Sequence, residues 1–233
     1  MNATNSYQDK YFSILGDSLS ALDGYSQPED AAFYTGMMKF EANVFLPEDT
    51  WWGQVIDALG GTLLVNHSIA GSMVSRHRSC EIPSYGCSDE RTSALSRDGH
   101  VPDVILVLMG TNDWGCPIQP TPDETSAKDD LSIFSIAYQT MLEKLRRNYP
   151  TAEIWCCTLP VSTSTQNEHF VFPYCYRGHH IEEYCEIIRA CAEANACRLI
   201  DLYRFAPPYD TVDDFHPNSE GMQTLSAAVL SQL

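Results

Sequence analysis

Residues 11–20 read Tyr11-Phe-Ser-Ile-Leu-Gly-Asp-Ser-Leu-Ser20. An apolar run ends at Gly16, and a hydroxyl side chain, that of Ser18, follows two residues later. The run predicts a buried strand, and a glycine at its end lets the chain turn sharply. In open α/β sheets, ligands bind at the carboxyl ends of the strands. Ser18 is therefore the first candidate functional residue.

The rest of the chain alternates apolar runs with helical patterns. Further strands are predicted at 62–66, 104–109, 153–158 and 198–201, and helices at about 51–59, 129–147, 181–194 and 219–232. The run at 104–109 is apolar at every position, which is typical of a parallel strand buried on both faces. This order predicts βαβ units with right-handed crossovers. We therefore expect one three-layer α/β/α domain with a mainly five-stranded parallel sheet.

Length and charge limit the function classes. A chain of 233 residues favours a single domain over 1–233, in which 1–10 form a polar N-terminal tail. The longest apolar run, 104–109, is too short to span a bilayer. The formal net charge of -17 disfavours nucleic acid and anionic membranes as partners, and its simplest explanation is solubility.

Nine cysteines are an odd number, so a complete intramolecular disulfide framework is impossible. The C-x-x-C spacing typical of zinc and thioredoxin sites is missing. Cys156 and Cys157 lie in a predicted strand and should pack as small apolar residues. Together with an N-terminus that lacks a signal-peptide pattern, this favours a cytoplasmic location. Cys80 and Cys87, in one loop, could pair under oxidising conditions.

Three segments are expected to border the site at the strand ends. They are 21–49, which reads as a long irregular stretch, the polar loop at 72–100, and the aromatic loop at 170–176. The second contains four arginines, each near an acidic residue: Arg76, Arg78, Arg91 and Arg97. Surface ion pairs are the favoured interpretation of these arginines. A substrate-facing patch is the alternative.

A catalytic base for Ser18 is found near the end of the chain. A serine hydroxyl is a poor nucleophile unless a base removes its proton as it attacks. His216 can do this, and a carboxylate three residues earlier, Asp213, can hold its other ring nitrogen. Asp214 competes for that role. The chain contains no G-x-S-x-G, so the nucleophile elbow of the α/β-hydrolases is absent.

Four motifs together resemble the GDSL-type esterase/lipase family of the SGNH hydrolase superfamily. They are Gly16-Asp-Ser-Leu19, Asn66-His-Ser-Ile-Ala-Gly71, Gly110-Thr-Asn-Asp113 and Asp213-Asp-Phe-His-Pro217. The resemblance covers roughly residues 12–221 and implies the SGNH hydrolase fold, a flavodoxin-like sandwich. It implies a catalytic triad of Ser18, His216 and Asp213, the last chosen by the family spacing. It also implies an oxyanion hole made by the backbone N–H groups of Ser18 and Gly71 and the side-chain amide of Asn112.

Neighbouring polar residues are assigned supporting roles. Asp17 and Asp113 flank the motif residues and should brace the backbone, and Asn66 should brace the Gly71 loop. His179 and His180, followed by two glutamates, weakly resemble metal-ligand spacing, but a solvated helix start is favoured. We therefore expect no metal, and acyl transfer to water requires no organic cofactor.

The substrate is expected to be an ester of a short acyl group, such as acetyl, with a carbohydrate or a small alcohol. Mixed aromatic and polar residues around a cleft suit sugar rings. A lysophospholipase or thioesterase is the alternative enzyme. A non-catalytic glycan-binding domain is the alternative outside catalysis, and an acyltransferase with the same residues stays open. The oligomeric state is not predicted.

Overall fold

A computed structural model describes residues 6–27, 31–76, 85–116, 118–163, 170–171, 175–176 and 178–233. Its strands are β1 (Tyr11–Gly16), β2 (Thr62–Ser68), β3 (Val104–Leu108), β4 (Glu153–Cys157), β5 (Phe170–Val171), β6 (Cys175–Tyr176), β7 (His179–His180) and β8 (Arg198–Ile200). Five strands form a parallel sheet in the order β2-β1-β3-β4-β8. The three short strands β5, β6 and β7 form a separate antiparallel sheet.

Helices cover both faces of the large sheet. They are α1 (Gly36–Ala42), α2 (Trp51–Ala58), α3 (Asp89–Ser93), α4 (Thr111–Gly115), α5 (Phe134–Asn148), α6 (Ile181–Ala194), α7 (Leu202–Phe205) and α8 (Ser219–Leu230). Alternate residues of β3 enter different cores, since side chains along a strand point to opposite faces. Ile105 joins α5 and α6 in one core, whereas Leu106 joins α2 and α8 in the other. The predicted three-layer α/β/α fold is confirmed.

The register of the sheet brings the three strand ends with motif residues to one edge. Gly16 of β1 is aligned with Ser68 of β2 and with Leu108 of β3. Ser18, Gly71 and Asn112 follow these strands by two to four residues. Because parallel strands end on the same side of the sheet, their loops meet there.

Two segments differ from the sequence-based expectations. Helix α5 begins at Phe134 rather than near 129, because Asp130 accepts hydrogen bonds from the N–H and the hydroxyl of Ser132 and forms a turn instead. The stretch 21–49, expected to be irregular, contains α1. Met37 and Phe40 on this helix are each 70% exposed, so its apolar residues do not follow the inward-facing pattern that indicates a helix.

The predicted N-terminal tail is partly packed. Tyr7 lies edge-on against Trp155, with 5.2 Å between ring centroids, and its hydroxyl donates to Glu153 over 3.0 Å. A single domain over 1–233 remains a prediction. Across the described part of the chain, no helix is long and apolar enough to cross a membrane.

The described cysteine side chains are free thiols. Cys156 and Cys157 on β4 are fully buried and pack among apolar residues, one in each core. Cys87 is also buried and free. Its proposed partner in an oxidising sample, Cys80, lies outside the described residues.

Candidate active site

Ser18 lies on a tight turn directly after β1. Residues Ser18–Ser20 form one turn of 3₁₀ helix, and the Asp17 carboxylate caps it by accepting the N–H of Leu19 over 3.0 Å. Gly16 allows this turn because it has no side chain. A Cβ atom at Gly16 would lie 2.6 Å from Ser68 Oγ and 2.9 Å from Ser20 Cβ, closer than packed atoms approach. The glycine therefore allows β1, β2 and the Ser18 turn to come together.

Ser18, His216 and Asp213 form a continuous line of hydrogen bonds. Ser18 Oγ lies 2.8 Å from His216 Nε2, and His216 Nδ1 lies 2.7 Å from Asp213 Oδ2. Burial raises the pKa of Asp213, but the hydrogen bond and charge of His216 outweigh it and hold the pKa below its usual value. Asp213 is therefore a carboxylate at neutral pH, and a carboxylate makes Nδ1 the protonated ring nitrogen. This leaves Nε2 as the acceptor for the Ser18 proton.

The neighbouring Asp214 makes different contacts from those of Asp213. Its backbone is left-handed, with φ of 78°, which aspartate tolerates better than most residues. Its carbonyl accepts a hydrogen bond from Ser162 Oγ over 2.7 Å. The structure thus brings Asp213, and not Asp214, to His216.

Hydrogen bonds from buried tyrosines fix the loop that holds His216. The hydroxyl of Tyr209 donates to the carbonyl of Phe215 over 2.7 Å, and that of Tyr34 donates to Pro217 over 2.8 Å. Both bonded carbonyls are next to His216 in sequence. The backbone of His216 is therefore held on either side.

An aromatic residue that the sequence analysis did not single out covers the His216 ring. Phe33 stacks on it with 3.4 Å between centroids and 11° between ring planes. Phe33 lies in the segment 21–49, which was expected to border the site, but no motif surrounds it. Its ring limits rotation of the imidazole and shields one face of it.

The three predicted oxyanion donors lie around the same space. Gly71 has a left-handed backbone, with φ of 74°, which favours glycine. Asn112 Nδ2 donates one of its two hydrogens to the carbonyl of Ser72 over 3.0 Å, which leaves the other available. In the described part of the chain, the backbone N–H groups of Ser18 and Gly71 have no hydrogen-bond acceptor.

These groups line a cavity of about 380 Å³. Its walls are mainly apolar. The lining residues are Ser18, Leu19, Phe33, Ala70, Gly71, Thr111, Asn112, Gly115, Cys116, Phe215 and His216. Of the described residues in 72–100, none lines the cavity, and the side chains of 170–176 lie outside the described part of the structure.

The two flanking aspartates are completely buried and bond to backbone amides. Asp113 accepts the N–H groups of Val74 over 2.8 Å and Ser75 over 2.9 Å. Burial raises the pKa of Asp113 to about 6, against the effect of these bonds, and raises the pKa of Asp17 to about 7. Asp113 thus fastens the loop that follows Gly71, and Asp17 fastens the Ser18 turn.

Asn66 bonds to a different target from the one expected. Its amide donates to the carbonyl of Ser20 over 2.9 Å, and its oxygen accepts the hydroxyl of Ser68 over 2.5 Å. It therefore braces the Ser18 turn against β2 rather than the Gly71 loop. The predicted strand pattern placed Asn66 near the site but could not indicate its partner.

Arg91 is the functional-site neighbour that the sequence analysis misjudged. The arginines of 72–100 were expected to form surface ion pairs or a substrate-facing patch, but the Arg91 side chain is fully buried, so both interpretations are wrong for this residue. It does not line the cavity, and it bonds to β1, β2 and the loop after Gly71.

One residue of the histidine pair, His180, caps α6. His180 Nδ1 accepts the N–H of Glu182 over 3.3 Å, and Glu183 accepts the N–H of His180 over 2.9 Å, a reciprocal arrangement typical of a helix N-terminus. Within the described residues, no group of three or more His, Cys, Asp or Glu side chains is arranged to hold a metal ion.

Comparison with known proteins gives one family match and many similar folds. A profile of the family GDSL-like lipase/acylhydrolase matches residues 10–169. A crystal structure of a GDSL-like lipase from Bacteroides uniformis is 27% identical, covers 97% of this chain and 95% of its own, and has a TM-score of 0.70. Est24, a carbohydrate acetylesterase from Sinorhizobium meliloti, covers 96% and 98%, with a TM-score of 0.66; at 13% identity this likeness concerns the fold alone.

A curated relative matches over a shorter stretch. The cellulase/esterase CelE from Acetivibrio thermocellus is 33% identical over 66 residues, which are 28% of this chain. The match spans 7% of the relative's length.

Proposed function

The chain belongs to the GDSL-like lipase/acylhydrolase family, a family of ester hydrolases, and we propose that it cleaves acyl esters by covalent catalysis at Ser18. The observation that supports this most is the unbroken line of hydrogen bonds from Asp213 through His216 to Ser18. The two links measure 2.7 Å and 2.8 Å, and the line ends at a cavity. This geometry suits a nucleophile with its base and orienting acid.

The first half of the reaction forms an acyl-enzyme. Ser18 Oγ attacks the ester carbonyl carbon while His216 Nε2 takes the hydroxyl proton. The carbonyl electrons move onto oxygen, and the N–H groups of Ser18 and Gly71 with the Asn112 amide stabilise that oxyanion. His216 then returns its proton to the alcohol oxygen as the carbon–oxygen bond breaks, and the alcohol leaves.

The second half uses water as the nucleophile. His216 takes a proton from the water as it attacks the acyl carbon, and the same donors stabilise the second oxyanion. When the bond to Ser18 breaks, His216 gives the proton to Ser18 Oγ and the free acid leaves. The negative charge of Asp213 stabilises the imidazolium at each stage, because it lies 2.7 Å from the protonated Nδ1.

A short acyl group on a carbohydrate or small alcohol remains the proposed substrate. The cavity of about 380 Å³ is at the small end of the range for ligand pockets. Phe33 and Phe215 supply rings that can stack on a sugar or pack on a small alcohol. The curated relative CelE is named a cellulase/esterase, and an ester of a carbohydrate is consistent with that name.

One observation favours the lipolytic alternative. Helix α1 begins three residues after Phe33, and its side chains Met37 and Phe40 are each 70% exposed. Exposed apolar side chains are typical of surfaces that contact a partner, a membrane or a long acyl chain. A lysophospholipase-type or thioesterase-type activity is therefore the second candidate.

Hydrolysis of p-nitrophenyl acetate, butyrate, octanoate and palmitate tests both the chemistry and the substrate class. We expect Ser18→Ala to abolish turnover of all four, since it removes the nucleophile without changing the fold. Acetate or butyrate should give the highest kcat/KM. Equal activity of Ser18→Ala would refute the role of Ser18, and a preference for palmitate would support the lipolytic candidate. A wild type that hydrolyses none of the four esters would reopen a non-catalytic glycan-binding function.

Two further tests address whether water or an alcohol accepts the acyl group, and where in the cell the protein is located. Product analysis with an added sugar alcohol distinguishes a hydrolase, which releases free acid, from an acyltransferase, which acylates the alcohol. A cytoplasmic location is supported by the seven free thiols of the described residues, and fractionation of the source cells tests it.

A further inference from the structure

Arg91 is a buried cation with neutral hydrogen-bond partners. Its guanidinium donates to the carbonyl of Gly16 over 2.8 Å and to the carbonyl of His67 over 2.6 Å. It also donates to His67 Nδ1 over 3.1 Å and to the hydroxyl of Ser72. Among the described residues, no carboxylate accepts a hydrogen bond from it. Helix α3 supplies this side chain, and Ser88 caps that helix by accepting the Arg91 N–H over 3.2 Å.

A buried charge of this kind is costly for folding. Removing a guanidinium from water is unfavourable, and the nearby charges of Asp17 and Glu90 offset only part of that cost, since burial still lowers the pKa of Arg91 to about 10. An apolar side chain of similar size fills the same space without that cost. Polar groups that a fold retains at such a cost are typical of functional sites. The partners of Arg91 lie next to cavity-lining residues in sequence, which suggests the function that retains it.

The hydrogen bonds of Arg91 form a bridge between Gly16 and Ser72, and each of these residues is close in sequence to a proposed oxyanion donor. Gly16 is two residues before Ser18, and Ser72 directly follows Gly71. The carbonyl of Ser72 accepts the Asn112 amide over 3.0 Å, so Ser72 connects Arg91 to the third donor as well. The three donors come from loops after three different strands. Arg91 directly bonds the loop that contains Gly71 and the last residue of the strand that precedes Ser18.

We propose that Arg91 is a positioning residue that sets the spacing of the oxyanion donors, by tying the Gly16 carbonyl before Ser18 to the Ser72 hydroxyl after Gly71. This rests on the proposed function, because the donors matter only if an oxyanion forms. Donors that act on an oxyanion lower the energy of the transition state and leave the ground-state ester little affected. Loss of the bridge should therefore lower kcat at nearly constant KM.

Three variants test this role. Arg91→Met removes all four bonds while keeping similar length. Ser72→Ala removes the acceptor on the Gly71 side, together with the bond that the Ser72 hydroxyl donates to the Met73 carbonyl over 3.3 Å. Arg189→Met is the matched control, because Arg189 also makes several side-chain bonds, to Asp201 and Glu182 among others, on α6 away from the cavity. It should lower the melting temperature without affecting the chemistry.

Turnover must be expressed per competent site, since a folding defect alone lowers the amount of active protein. Complete reaction with a fluorophosphonate, which bonds to Ser18 as fluoride leaves, counts the competent sites. We then measure kcat and KM for p-nitrophenyl acetate on that basis. For Arg91→Met we expect kcat per labelled site to fall about 10- to 100-fold, as for a displacement of about 1 Å in an active site. KM should stay within about twofold, and Ser72→Ala should show a smaller fall of the same kind.

A kcat per labelled site within about twofold of wild type in either variant would overturn the role of Arg91 and leave it a packing residue. If Arg91→Met does not fold, Ser72→Ala decides on the same criterion. The proposed function is refuted by a different result, namely wild-type activity in Ser18→Ala. With Ser18→Ala inactive, wild-type kcat in the Arg91 and Ser72 variants overturns only the positioning role.

Discussion

Replacing Asp213 by asparagine tests how the carboxylate assists His216. Asparagine has nearly the same shape, so it can keep the bonds that Asp213 Oδ1 accepts from the backbone N–H groups of His216, over 2.9 Å, and Phe215, over 3.2 Å. It loses the negative charge 2.7 Å from His216 Nδ1. If its NH₂ group turns to Nδ1, the proton moves to Nε2 and the base facing Ser18 is lost.

The size of the effect follows from these contacts. A hydrogen bond to a charged group contributes about 1.5–3 kcal/mol, which corresponds to about 10- to 150-fold in rate. The Asp213 side chain is 39% exposed, so solvent screens part of its charge and the lower part of that range applies. The wrong tautomer adds a further loss of base. We therefore expect kcat of Asp213→Asn to fall about 100-fold with KM nearly unchanged.

Asp214→Asn is the matched control for this experiment. Asparagine tolerates the left-handed backbone at this position, and the bond from Ser162 is to the backbone carbonyl, which the exchange leaves in place. Steady-state hydrolysis of p-nitrophenyl acetate by both variants, at equal amounts of folded protein, gives the comparison. A larger loss in Asp214→Asn than in Asp213→Asn would refute the assignment, and equal activity of both with wild type would remove the carboxylate from the mechanism.

Three further exchanges test the surroundings of Ser18. Asn112→Ala removes one oxyanion donor and should lower kcat about 100-fold; an unchanged kcat excludes Asn112 from the oxyanion hole. Gly16→Ala puts a Cβ 2.6 Å from Ser68 Oγ, so the melting temperature and the activity should both fall, and a wild-type melting temperature would contradict this. For Asp17→Asn, thermal melts at about pH 4 and 8 are compared with wild type. Burial raises the folded-state pKa of Asp17 from 3.8 to about 7. The contribution of Asp17 to the stability of wild type therefore falls as the pH rises from about 4 to about 7, whereas asparagine does not titrate. The variant should gain melting temperature over wild type at pH 8 relative to pH 4, and a pH-independent difference would refute the raised pKa.

Much of the fold was predictable because burial leaves a clear pattern. The apolar runs of β1 and β3 indicate strands buried on both faces, and the apolar residues of α6 (Ile181–Ala194) recur at helical spacing. The motif residues were predictable as a group for a related reason. They follow the ends of parallel strands, and the register of such strands brings their loops together.

What the sequence could not indicate depends on long-range partners. Arg91 bonds to two backbone carbonyls, and every residue has a carbonyl, so the sequence cannot indicate these partners. The acidic neighbours of Arg91 suggested a surface residue instead. The stack of Phe33 on His216 joins residues 183 positions apart, counted as 216 minus 33. Helix α1 escaped prediction because Met37 and Phe40 face solvent.

The most direct test of the central claim is covalent capture of the nucleophile. The protein is treated with a fluorophosphonate until activity is lost, and the labelled peptide is identified by mass spectrometry. A single adduct on Ser18, formed in proportion to the loss of esterase activity and absent from Ser18→Ala, is the predicted result. An adduct on another residue, or full activity after complete labelling of Ser18, would contradict it.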